Sequence, residues 1–385
     1  MKSSSRLELL QPETQTLIMC HIPCATTLYS LLRASPRFYQ VFISRREYHL
    51  TQLAIRNCRA PANAWDAIKA SKLPRPPSRE DVEKFVRTFT EDNGYTALVL
   101  SLEISVPMIK LGACVEWFVA DFAKDALANL VSLGELQSLA QNFDGAHREL
   151  STIESERIAR AFFRSETFRQ LFPPPCTVDG ARMTASQLAV DFLNTYDLDE
   201  IEELVSVRDY IIRRLWGIFD RIEDDFVSGE QLQPQSEAAQ AFTDKNWFGE
   251  SGKGQHEYYM ENLMSLGLPF LHEVFTADRA RSTDLVLTNS IAIRGYLTDT
   301  VGKAFEKGIE PSESPNQSAL YLRNYKSLFH EDLTECSIGW HWGQNFRNNI
   351  EPGYSRRKGC RDWGYIFWDK SRMNAAGVLD RSYSS

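Results

Sequence analysis

Cys20-His21-Ile22-Pro23-Cys24 places two thiols and an imidazole within one short stretch, and these residue types hold zinc. Zinc needs four convergent ligands, usually as two separated pairs, and the sequence offers no second pair at a suitable distance. Pro23 also breaks the turn that would bring Cys20 and Cys24 onto one helix face. His330, Cys336, His341 and Cys360 form a looser set whose spacings of six, five and nineteen residues match no finger or ribbon. Packed thiols, and a hydrogen-bonded histidine between Trp340 and Trp342, account for both sets. No metal and no cofactor is expected.

Carboxylates are the next candidates. Asp197, Asp199, Glu200, Glu202 and Glu203 crowd one stretch, and Glu223, Asp224 and Asp225 another. Paired carboxylates can do acid–base work or hold magnesium. However, the first run opens a long helical pattern, where negative charge opposes the positive end of the helix dipole, and the second closes it beside Arg221. Solvated helix ends are the expected role of both. The stretch GESGKGQ at 249–255 lacks the spacing, the Ser/Thr and the preceding strand of a phosphate loop. There is no G-x-S-x-G, no H-E-x-x-H and no dinucleotide fingerprint. The sequence nominates no catalytic group, and the chain is read as a non-enzyme.

Residues 354–372 interleave Arg356, Arg357, Lys358, Arg361, Lys370 and Arg372 with Tyr354, Trp363, Tyr365, Phe367 and Trp368. Three roles fit that mixture. The aromatics could stack on a nucleic-acid strand, or anchor a protein interface, or lock the tail onto the body with the arginines solvated. The last is favoured.

The elements that must position these residues are helical. No glycine precedes Gly94, so the hairpins and bulges that need positive φ are not built into the first quarter of the chain. Pro12 stands at the start of an apolar helix carrying Leu17, Ile18 and Ile22, and Pro23 stops it. Leu28, Leu31 and Leu32 follow, then Ser35-Pro36, then Phe38, Tyr39, Val41 and Phe42. A further helix is expected over 45–57. Ser78 with Asp81 caps the next, which turns Val82, Phe85, Val86 and Phe89 inward. Ser151 and Glu154 form a capping box for a helix that the prolines at 173–175 end. The clearest amphipathic run covers 198–226, with Ile201, Leu204, Val205, Ile211, Ile212, Leu215, Phe219 and Ile222 at three-four spacing. Ala97 to Val119, broken by Glu103, Lys110 and Glu116, reads as a core helix pair rather than a membrane span. Helices are further expected near 256–277, 288–306 and 317–332. The expected units are 1–57, 58–227, a polar linker over 228–256, and 257–385.

Composition sets the class. With 43% hydrophobic and 24% charged residues the chain is an ordinary globular one. A net charge of −8 argues against nucleic acid as the main partner. The start MKSSSRLELL carries no secretory pattern, and seven scattered cysteines suit free thiols in a reducing compartment. Cytosol or nucleus is the expected location, with no membrane partner.

The N-terminal segment resembles an F-box of the large filamentous-fungal F-box family. Leu10, Pro12 and Glu13 match its opening, Leu17 and Ile18 its aliphatic run, and Pro23 its second proline, with Ile22 on the same helix. Leu28, Leu31 and Leu32 match its leucine-rich helix, and Ala34, Ser35, Pro36, Phe38 and Tyr39 its close. Gln11 and Thr14 depart from the pattern; a threonine in place of a buried aliphatic residue forfeits about 1–3 kcal/mol of docking. The ending Trp363-Gly364-Tyr365-x-Phe367-Trp368-Asp369-x-x-Arg372 is similar to one in the same family.

The resemblance implies a mainly α fold, an F-box-like three-helix unit followed by an irregular helical body with few or no strands. It implies a protein-binding set of Leu10, Pro12, Glu13, Leu17, Ile18, Ile22, Pro23, Leu28, Leu31, Leu32, Pro36 and Phe38. The implied partners are a Skp-family linker and a cullin-type ubiquitin ligase, with an unidentified protein client on the body. The alternative is a stand-alone helical scaffold whose F-box-like segment belongs to its own core. A third is an enzyme whose site is assembled from distant residues.

Overall fold

The computed structural model describes residues 6–91, 100–132, 149–174, 187–227, 253–290, 297–309, 339, 342, 358–376 and 378. The mainly α expectation is met: the described residues form helices and no strand. A 3-10 turn, Arg6–Leu9, leads into α1 (Pro12–Cys20), α2 (Ala25–Ala34), α3 (Pro36–Ser44) and α4 (Arg46–Asn57). Then come α5 (Pro61–Ser71), α6 (Arg79–Glu91), α7 (Leu102–Ser132), α8 (Thr152–Leu171), α9 (Gln187–Leu193) and α10 (Leu198–Val227). The chain continues through α11 (Lys253–Ser265), α12 (Leu268–Thr276), α13 (Arg279–Asn289) and α14 (Leu297–Ile309). It closes with α15 (Lys358–Asp362), a 3-10 turn Tyr365–Phe367, and α16 (Lys370–Ala375).

Local chemistry places the helix ends. Pro12, Pro36 and Pro61 occupy first turns, where a missing N–H costs nothing. The Ser78 hydroxyl accepts from the Asp81 N–H at 3.1 Å, and the Asp81 carboxylate accepts back from Ser78. The capping box of α8 is formed in both directions between Ser151 and Glu154. Ala97 to Val119 is not a helix pair. From Leu102 it belongs to a single helix running to Ser132 that accommodates Pro107 in its second turn. The stretch 256–277 is not one helix either: Gly267, at φ 96°, separates α11 from α12 and brings its Cα against the Arg169 guanidinium. The expected helix at 288–306 is divided between α13 and α14, and the expected one at 317–332 lies outside the described residues. None of the described helices is long and apolar enough to cross a membrane.

Helices α5, α7, α8 and α10 make the main packing layer, α5 and α10 both lying against α8. Ala64, Ala67 and Ala70 give α5 a face of small buried side chains that permits close approach. The predicted inner face of α10 is buried throughout, but so is everything else from Ile201 to Ile212. The first half of this helix is therefore a central pillar rather than an amphipathic surface helix.

Two apolar clusters result. The large one gathers buried side chains from Ala54 to Val378, so residues on both sides of 228–256, such as Phe219 and Leu271, share one core. The small one contains Met19, Ile22, Leu28, Phe38, Phe42 and Leu53. Ile109 of α7 packs against both.

Candidate protein interface on the N-terminal helices

The small cluster is the inside of the α1–α4 unit. Its assembly begins at the 3-10 turn, which Gln15 holds by donating from Nε2 to the carbonyls of Leu7 and Glu8 at 3.2 and 3.3 Å. Ser35 donates to the Glu8 carboxylate at 2.5 Å while its hydroxyl also caps α3 by accepting from the Phe38 N–H. These bonds, added to the buried side chains, leave the outer surfaces of the unit without internal work.

Those outer surfaces carry exposed apolar side chains among polar ones. Leu17 is 59% exposed, Leu9 67% and Leu7 52%. Glu13 and Leu17 are four residues apart and share one face of α1, with exposed Pro12 beside them in sequence. On another side, α2, α3, α4 and α7 enclose an open groove of about 850 Å³. Leu28, Phe42 and Leu53 form its floor, and Leu32, Pro36 and Ile109 line its walls. Tyr29, Tyr39 and Ile43 stand exposed along it, with Arg33, Arg46 and Lys110 supplying only positive charge.

The twelve sequence-selected residues do not form one patch. Pro12, Glu13, Leu17, Pro23 and Pro36 are exposed, Leu10, Ile18, Leu31 and Leu32 half-buried, and Ile22, Leu28 and Phe38 buried. Ile22 and Phe38 belong wholly to the internal cluster, whereas Leu28, Leu32 and Pro36 line the groove. Tyr29, Tyr39, Ile43, Leu7 and Leu9 were missed as surface groups. The signal for them was an aromatic or aliphatic residue one position off the buried stripe, as Tyr39 is off Phe38.

The chemistry-bearing residues sort differently. Cys20 is buried beside His49, 3.9 Å from Sγ to Nδ1, whereas His21 and Cys24 are exposed, so the three side chains diverge. Burial, only partly offset by a hydrogen bond to Tyr48, pushes the Cys20 thiol up, and burial holds the His49 ring down. No group of three His, Cys, Asp or Glu among the described residues converges as a metal site requires. His330, Cys336, His341 and residues 249–252 lie outside the described residues.

The acidic run at the start of α10 is not solvated, which corrects the reading from sequence. Glu202, with 0% exposure, takes two bonds from Arg361, at 2.7 and 3.0 Å, and one from the Tyr365 hydroxyl at 3.1 Å. Arg361 also reaches Asp209 at 3.2 Å, and Asp209 accepts from Arg208 at 2.8 Å. Glu203 faces Arg164 at 3.0 Å and Arg160 at 3.6 Å, and Glu200 also bonds Arg164. Arg372 grips Glu154 with two bonds of 2.7 Å, tying the tail to the capping box of α8. Arg157 meets Asp369 at 3.3 Å. The tail does lock onto the body through its aromatics, but Arg361 and Arg372 are buried with it rather than solvated.

Electrostatics follow. Burial pushes the Glu203 carboxyl up to about 7 against the pull of Arg160 and Arg164, and burial with Glu200 pushes Asp197 up to about 6. Burial opposes ionisation of Glu154 as well, but the Arg372 bond and two backbone N–H groups outweigh it and hold that carboxyl below its ordinary range. Guanidinium forks matched to carboxylates in this way fix architecture.

Comparison with known protein families, curated proteins and solved structures gives no match.

Proposed function

We propose that the protein is a non-catalytic adaptor that docks a Skp-family linker of an SCF-type ubiquitin ligase through α1 and carries a protein client on its helical body. The observation that supports this most directly is Leu17. The inner face of α1 is consumed by Met19, Cys20, Gln15 and Thr16, yet Pro12, Glu13 and Leu17, three of the twelve residues that the F-box resemblance assigns to protein binding, stay outside. A leucine kept in water on an ordered helix gains by being covered, about 1.5–3 kcal/mol once buried.

A titration of the full-length protein with a Skp-family linker tests this. Leu17→Asp is the informative variant, because Leu17 has no packing role; Ile18→Asp is not, because Ile18 packs against the internal cluster. Binding in the wild type that weakens about tenfold or more in a folded Leu17→Asp protein is the expected outcome. A wild type that does not bind the linker refutes the adaptor reading.

A scaffold without a ligase is the second reading, and it has support of its own. The Thr51 hydroxyl accepts from the Leu100 N–H at 2.8 Å and α4 packs along α7, so the N-terminal unit is sewn to the body.

A further inference from the structure

A second concavity lies far along the chain, between α10 and the α12–α13 pair, with a volume of about 420 Å³. Its charged lining is entirely cationic: Arg213 and Arg214 project from one turn of α10, Arg221 from two turns further on, and Arg279 from the start of α13. Three of these are braced from the side by carboxylates. Arg213 meets Asp125 at 3.0 Å and Asp362 at 2.5 Å, Arg214 meets Asp121 at 3.3 Å, and Arg279 meets Asp225. The bracing holds the forks in place, and the shortest approach of Arg214 to Asp121 is through Nε. Arg221 is exposed and has no ion pair among the described residues.

Two further features point to an occupant. Ser282 lines the same space, is only 4% exposed, and its hydroxyl has no hydrogen-bond partner. Several buried serines turn back onto the preceding helical turn, as Ser206 does to the Glu202 carbonyl at 2.8 Å and Ser290 to Val286 at 2.7 Å; Ser105 of α7 is buried and unpartnered as well, but it lines no cleft of this kind. A buried hydroxyl left unpaired calls for an explanation. The second feature is Gly217, exposed in the middle of α10 on the cavity wall, where an added Cβ would meet nothing within 4 Å. Glycine is a poor choice for a helix interior, and its effect at this position is to keep the mouth of the cleft clear.

We infer that this cleft binds a phosphomonoester. Guanidinium forks from two helices and a buried hydroxyl offer more donors than the two oxygens of a carboxylate use, and they suit the three terminal oxygens of a phosphate dianion. Phe275, Ile218 and Val274 form an apolar wall for the carbon group of the ester, and the Arg214 guanidinium already lies over the Phe275 ring at 5.4 Å. The ester is carried either by a small molecule or by a phosphorylated side chain of another protein. The site is independent of the N-terminal surface.

Isothermal titration of the full-length protein with phenyl phosphate tests the assignment, with benzoate as the carboxylate control. Saturable binding of phenyl phosphate, about tenfold tighter than benzoate, is expected. Gly217→Leu fills the mouth and Arg221→Gln removes the unpaired fork, and each lowers affinity about tenfold. Neither variant removes a packed side chain, and thermal unfolding of Gly217→Leu at or above the wild-type temperature shows that lost binding is not lost folding. A phosphoserine peptide that binds about tenfold tighter than phenyl phosphate assigns the site to a protein partner, and equal affinity assigns it to a small molecule. No saturable binding, equal binding of benzoate, or undiminished binding in both variants overturns the inference.

Discussion

Glu203 is nearly sealed from water between Arg160 and Arg164, and burial nevertheless outweighs their pull, so its carboxyl titrates near 7 instead of 4.5. A raised value in the folded chain means that folding favours the protonated form. The resulting contribution to stability is fully present below pH 4.5 and is lost as pH rises through about 7. Glu154 has the opposite sign: its lowered value contributes stability at neutral pH that is lost as acid protonates it. Glu203→Gln, which keeps the shape and cannot ionise, should flatten the fall in stability between pH 4.5 and 7. Urea unfolding at a series of pH values checks this, and an unchanged slope in the variant would mean that Glu203 is ionised throughout. None of this was legible in the sequence. Glu202 and Arg361 are 159 residues apart, and Glu154 and Arg372 are 218 apart. A reading along the chain sees only acidic neighbours at a helix start, a pattern that solvation and the dipole already explain.

At the scale of elements, whatever depends on neighbours within about four residues was readable. Ser151 with Glu154, Ser78 with Asp81, and Pro12 at the start of α1 all fell where cap chemistry puts them. The break at Gly267 was readable too, from a glycine two residues before Pro269, but apolar residues on both sides carried the helical pattern across it. Helix α5 was invisible for another reason: alanines form its inner face, and they contribute little to a pattern judged by bulky side chains. The start of α8 offers the sharper prediction. Ser151 caps the helix and its hydroxyl also donates to Asp369 of the tail, while its own N–H is held by Glu154 at 3.0 Å. Ser151→Ala should therefore cost about 1–2 kcal/mol, at the upper end for a cap, because it leaves the Glu154 N–H and one tail contact unsatisfied. Denaturant unfolding at neutral pH measures it, and a loss below about 0.5 kcal/mol would show that water replaces the hydroxyl.

For the whole molecule, the decisive feature is that the two apolar clusters differ greatly in extent and meet at Ile109. The small cluster draws on α1–α4 alone, apart from Ile109, and is too small to hold such a unit firmly by itself. The large cluster includes α10 from Ile201 to Ile222, the buried apolar side chains of α8 and the aromatic tail, with Phe367 edge-on to Phe122 at 5.2 Å. The pillar cannot open without exposing the buried apolar side chains it contributes to the large cluster, from Ile201 to Ile222, and each of these loses the stabilisation of its burial. Opening should therefore be graded. Backbone amides of α1–α3 should exchange with solvent through local unfolding, at a free energy well below that of the whole molecule. Those of α8 and of Ile201 to Ile212 should exchange only when everything unfolds. Hydrogen exchange followed by mass spectrometry reads both classes in one experiment. A docked partner on α1 should slow both classes by a similar factor, because neither the locally opened unit nor the fully unfolded chain can hold it. In the free protein, equal exchange free energies for both classes would instead mean that α4 and α7 couple the N-terminal helices to the body as one cooperative unit, which is the arrangement a stand-alone scaffold requires.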